Sequence, residues 1–122
     1  MERRFTVDAE GMVACQAFVS SCCESPRPQI IMDEIVSNIV RCSGATYFSV
    51  DFSVDASNLA TIVFTDDGVA FDPLAVAAPD VSGSAADREI GGLGIFMVRK
   101  MSKAVSYARR DGCNVLTVLM QL

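Results

Sequence analysis

The chain has 122 residues, 51% of them hydrophobic and 20% charged, which suits one folded domain over residues 1–122 with a single core. Its net charge of −5 disfavours a nucleic-acid or anionic-membrane surface, but not a nucleotide, whose phosphates are held locally by amides and a metal ion. The absence of histidine excludes Cys/His zinc sites and histidine acid–base chemistry.

Of the five cysteines, an odd number with no C-x-x-C spacing, three lie in helical patterns beside apolar residues and read as buried free thiols. Met1-Glu2-Arg3-Arg4 is not followed by a signal-type apolar run. No apolar run of about 18 residues occurs either. A cytoplasmic location without a membrane partner is therefore expected.

Phe5-Thr6-Val7 suggests a short first strand. From Glu10 to Cys23, Met12, Val13, Cys15, Ala17, Phe18 and Val19 recur at near-helical spacing, and Ser25-Pro26-Arg27-Pro28 breaks the chain. A second helix is expected from Gln29 to Ser43. Ile31, Met32, Ile35, Val36, Ile39 and Cys42 make one apolar face of it.

Tyr47 to Asp55 alternates, with Phe48, Val50, Phe52 and Val54 on one side, as a strand with one buried face does. Ala56-Ser57-Asn58 turns it into a second strand, Leu59 to Thr65. Asp72 to Glu89 holds two prolines and no sustained period, which reads as a long mobile loop of the kind that serves as a lid. A short helix, Ile95 to Met101, precedes strands Ala104–Arg109 and Val115–Leu122, joined by the hairpin signal Asp111-Gly112. The expected fold is α+β, a two-layer sandwich whose helices cover one face of a mixed, mainly antiparallel sheet.

Three segments could carry chemistry. Glu34 and Asn38 lie one helical turn apart at the rim of the apolar face. There a carboxylate and an amide could hold a metal ion and orient a hydroxyl, or could be ordinary boundary residues. Asp66-Asp67-Gly68-Val69-Ala70 follows a strand. It is either a plain turn or an acceptor for the exocyclic amine of adenine, with small residues beside a flat ring. Gly91-Gly92-Leu93-Gly94 runs into a helix, which serves close packing or cradles phosphate on free N–H groups. No Gly-Lys-Ser/Thr follows, so this is not a P-loop. A full G-x-G-x-x-G is also lacking.

Together and in this order, the segments resemble the GHKL (histidine-kinase-like) ATPase superfamily, and within it the anti-sigma-factor serine/threonine kinases. The likeness runs from Phe5 to Leu122 and is most specific over Ile90 to Leu119. It implies the histidine-kinase-like ATPase fold with ATP and Mg²⁺ as cofactors. The family's N box falls on Glu34, the implied general base towards a serine hydroxyl, and on Asn38, the implied Mg²⁺ ligand. The adenine box falls on Asp66, Gly68 and Ala70, and the glycine box on Gly91, Gly92, Leu93 and Gly94 over the phosphates. Ala70 stands where the family has a second glycine, Cys42 where a histidine is common, and Ile90 where many of the kinases have arginine.

The resemblance implies a cytoplasmic switch protein that phosphorylates a serine of an anti-anti-sigma (STAS-type) partner and sequesters a sigma factor or similar client. A second copy of the chain is a further candidate partner. The alternative is a non-catalytic module in which ATP only gates partner binding. A histidine-kinase catalytic fragment is a third reading, but the chain carries no phosphoacceptor histidine.

Overall fold

The computed structural model describes residues 1–75 and 92–122. Strand β1 (Glu2–Thr6) leads into helices α1 (Ala9–Cys22) and α2 (Arg27–Cys42), then strands β2 (Tyr47–Val54) and β3 (Leu59–Asp66). A 3-10 turn (Pro73–Ala75) follows, and after the undescribed stretch come α3 (Gly92–Met101), β4 (Ala104–Arg110) and β5 (Cys113–Gln121). The strands form one sheet in the order β1-β2-β3-β5-β4. Every pairing among the described residues is antiparallel.

Local chemistry sets the element ends. Asp8 caps α1 by accepting from the Gly11 N–H at 2.8 Å, and is itself held by the Thr6 hydroxyl at 2.7 Å. Helix α2 begins at Arg27 and has Pro28 in its first turn, where a missing N–H costs nothing. Between β4 and β5, Asp111 and Gly112 have φ of 52° and 77°. These are the left-handed values that a two-residue hairpin matching the sheet twist requires.

Strict alternation builds the core. Phe48, Val50 and Phe52 of β2, Ala60, Ile62 and Phe64 of β3, and Leu116, Val118 and Met120 of β5 are all buried. They meet Ile31, Met32, Ile35, Val36 and Ile39 of α2 and Cys15, Phe18 and Val19 of α1 in one cluster. Each large side chain contributes about 1.5–3 kcal/mol by leaving water. Phe5 extends the cluster across β1, with ring centroids 5.3 Å from Phe48 and 5.9 Å from Phe18. Helices lie on one face of the sheet, as expected. Among the described residues, no helix is long and apolar enough to cross a membrane.

Two expectations need adjustment. Cys42 was expected on the apolar face of α2 but is exposed, because it ends the helix, past the last turn that packs on the sheet. The expected lid, Asp72 to Glu89, begins with the 3-10 turn, and the rest of it lies outside the described residues.

Asp67 ties β3 to the start of β2. Its Oδ1 accepts from the Thr46 N–H at 2.7 Å and the Tyr47 N–H at 3.2 Å, and its Oδ2 from the Thr46 hydroxyl. The Thr46 hydroxyl above all, helped by these backbone donors against slight burial, holds its pKa below the ordinary 3.8. A depressed folded-state pKa stabilises fully above 3.8, and that stability is lost as pH falls through the lower folded value. Asp67→Asn is therefore expected to lower the urea midpoint at pH 7, with the gap to wild type narrowing in strong acid. A gap independent of pH would mean that the carboxylate charge contributes nothing.

Candidate functional site

The inward alternation of Ala60, Ile62 and Phe64 along β3 continues to Asp66, which places a carboxylate on the core face of the sheet, 6% exposed. Its Oδ1 accepts from the Gly68 N–H at 2.9 Å and from Asn114 Nδ2 at 3.1 Å. Its Oδ2 receives no hydrogen bond from any described residue. Asp66 borders a cavity of about 210 Å³ walled by Ile39, Phe64, Ile95 and Leu116. A carboxylate oxygen left unpaired at an apolar wall is costly, so the cavity suits a flat, largely apolar guest that brings its own N–H donor.

Gly68 lets the loop after β3 pass under the end of α2. A Cβ there would lie 2.5 Å from the Ser43 carbonyl oxygen and 2.9 Å from Asp66 Oδ1. The Val69 N–H donates to that same Ser43 carbonyl at 3.0 Å, and Arg109 Nη1 donates to the Gly68 carbonyl at 2.8 Å. Any side chain at position 68 would displace both the loop and the Asp66 carboxylate. Ala70 is exposed and its φ is not positive, so a Cβ at this position meets no backbone strain.

Asn38 reaches the same cavity from α2. Its Oδ1 accepts from Arg41 Nη2 at 3.0 Å. Glu34, one turn earlier and half-buried, lies against Gly94 in the first turn of α3. A Cβ on Gly94 would overlap Glu34 Oε2, so this glycine lets the helix start sit directly on the carboxylate. Ile95, the next residue, lines the cavity. Gly92 and Leu93 open α3, while Gly91 lies outside the described residues.

Thus Asn38 and Asp66 share one cavity, and Glu34 sits beside it against the glycine segment. Free N–H groups of the first helical turn belong to that same end of α3. No group of three or more Asp, Glu, Cys or His side chains able to hold a metal occurs among the described residues. A cation here would have Asn38 Oδ1 as a protein ligand, with the remaining oxygens from phosphate and water. That donor set fits Mg²⁺, which keeps several waters.

Asn114, 7% exposed, and Tyr107 also line the cavity, as does Arg41. Sequence reading passed over all three. The signal for Asn114 lay in the parity of β5, where it falls on the same face as Leu116, Val118 and Met120. A polar residue at a core position asks for a partner, and only the strand register supplies one: Asn114 pairs directly with Asp66.

A model of the family described as the histidine kinase-like ATPase domain matches residues 9–120. The chain is also similar to the serine/threonine-protein kinase BtrW of Bordetella bronchiseptica, 42% identical over 53 residues, which is 43% of this chain. The match spans 37% of the length of that relative.

Proposed function

This chain belongs to the histidine kinase-like ATPase family, and we propose that it binds ATP with Mg²⁺ and phosphorylates a serine of an anti-anti-sigma, STAS-type partner. In the other phase of its cycle it holds a sigma factor or a comparable client, in the cytoplasm, as a single domain. The observation that carries the nucleotide reading is the buried Asp66 carboxylate, which borders an apolar cavity and has no described donor on Oδ2. The kinase reading draws in addition on the likeness to the Bordetella kinase over part of the chain.

Each residue has one task in this reading. Asp66 accepts a hydrogen bond from the exocyclic amine of adenine, while Gly68 and Ala70 leave room for the ring. Asn38 would hold Mg²⁺ through Oδ1, the oxygen that accepts from the Arg41 guanidinium at 3.0 Å. Gly92, Leu93 and Gly94 at the start of α3 would offer backbone N–H groups to the phosphates, and Gly91 is assigned to the same task from the sequence alone. Glu34 takes the proton of the attacking serine. The metal ion supplies charge neutralisation on the phosphates, and most of the rate comes from that and from the amides.

Titration calorimetry with Mg-ATP is expected to give micromolar or tighter binding, and incubation with labelled ATP and the partner to give phosphoserine. No heat and no thermal shift with ATP or ADP would sink the nucleotide reading. ATP-dependent partner binding without transfer would leave the gated interaction module instead.

A further inference from the structure

We infer that Asn114 is a positioning residue that sets base selectivity by locking the Asp66 carboxylate, an inference that rests on the reading of the cavity as an adenine site. Asn114 uses its whole hydrogen-bonding capacity. Nδ2 donates to Asp66 Oδ1 at 3.1 Å and to the Val69 carbonyl at 2.8 Å. Oδ1 accepts from the Phe71 N–H at 3.1 Å and from the Tyr107 hydroxyl at 2.6 Å. Two acceptors on one side of the amide and two donors on the other leave a single orientation for the group.

The consequence falls on Asp66. A carboxylate turns easily about its terminal torsion, which has broad minima, and one donor on Oδ1 would leave it free to swing. The Gly68 N–H approaches Oδ1 from its own loop and Asn114 Nδ2 from the neighbouring strand. Together they hold Oδ1 and leave Oδ2, with no described donor on it, as the free acceptor of a residue that borders the cavity. The same amide ties down the loop through Val69 and Phe71, so the wall beside the ring and the acceptor below it are fixed by one side chain. Tyr107, on edge strand β4, holds the amide in turn. Base selectivity therefore depends on a chain Tyr107–Asn114–Asp66 whose first two members need not touch the base.

The test compares ATP with purine riboside triphosphate, which lacks only the exocyclic amine. Wild type should prefer ATP by on the order of tenfold, the worth of one buried hydrogen bond to a charged group. Asn114→Leu keeps the shape and removes all four bonds, and should reduce this preference to below about threefold. Tyr107→Phe removes a single bond from the network. It should fold like wild type and give an intermediate preference, which keeps the test informative should Asn114→Leu unfold. A merely structural Asn114 would weaken both nucleotides equally and leave the ratio intact, and that result overturns the inference. A wild type without any preference for ATP overturns the adenine reading and this inference with it. Preserved selectivity in Asn114→Leu or Tyr107→Phe, beside a clear preference in wild type, overturns the positioning role alone.

Discussion

Glu34→Gln is expected to lower phosphotransfer to the partner by roughly 10²–10⁴-fold, the usual worth of a positioned general base, with nucleotide affinity nearly unchanged. The amide preserves the shape that packs against Gly94 and removes the capacity to take a proton. Asn38→Ala is expected to act differently. It removes the oxygen offered to the metal and frees Arg41 from its 3.0 Å hydrogen bond, so Mg-ATP affinity and transfer should fall together. Single-turnover assays with titrated Mg²⁺ separate the two patterns. Equal and small effects of both changes would mean that these residues are only the rim of a core helix.

Asp66→Asn should weaken ATP binding by on the order of 10–100-fold, from the loss of a buried acceptor to a polar base edge. The substitution is conservative for the framework: the amide oxygen can still accept from Gly68 and Asn114, at 2.9 and 3.1 Å in wild type. Towards the cavity it presents a donor in place of an acceptor. The exocyclic amine of adenine then meets a second donor, whereas the carbonyl of inosine or guanine triphosphate gains a partner. The ratio of ATP to ITP affinity should therefore fall further than ATP affinity alone, which calorimetry with both nucleotides measures. Unchanged affinity and base preference would remove Asp66 from base recognition.

The fold was legible because its signals are local. Phe48, Val50 and Phe52 alternate without interruption, the α2 positions Ile31, Met32, Ile35, Val36 and Ile39 repeat at helical spacing, and Asp111-Gly112 favours one turn geometry. Backbone periodicity and left-handed propensity act within a few residues, so the neighbours in the chain carry the information. Element ends shifted by up to three residues, as at β1, which begins at Glu2, and α3, which begins at Gly92, while Asp8 fixes the start of α1 by capping it. Cys42 was misjudged because helical periodicity describes a face and not how far along the helix that face stays covered.

By itself, then, the sequence determined the order of helices and strands, the two-layer α+β class, and three short segments compatible with a nucleotide. Each segment had an ordinary alternative, as a turn, a boundary or a tight packing contact. Only the tertiary structure decided that Asn38 and Asp66 border one cavity, that Glu34 lies against Gly94, and that Asp67 serves the backbone of Thr46 and Tyr47. It alone disclosed Asn114, which is 48 residues from Asp66 in sequence and directly opposite it in the sheet. The reason is physical: a hydrogen bond between neighbouring strands depends on register, and register is set by packing summed over the whole sheet, of which no single stretch of the chain contains more than a part.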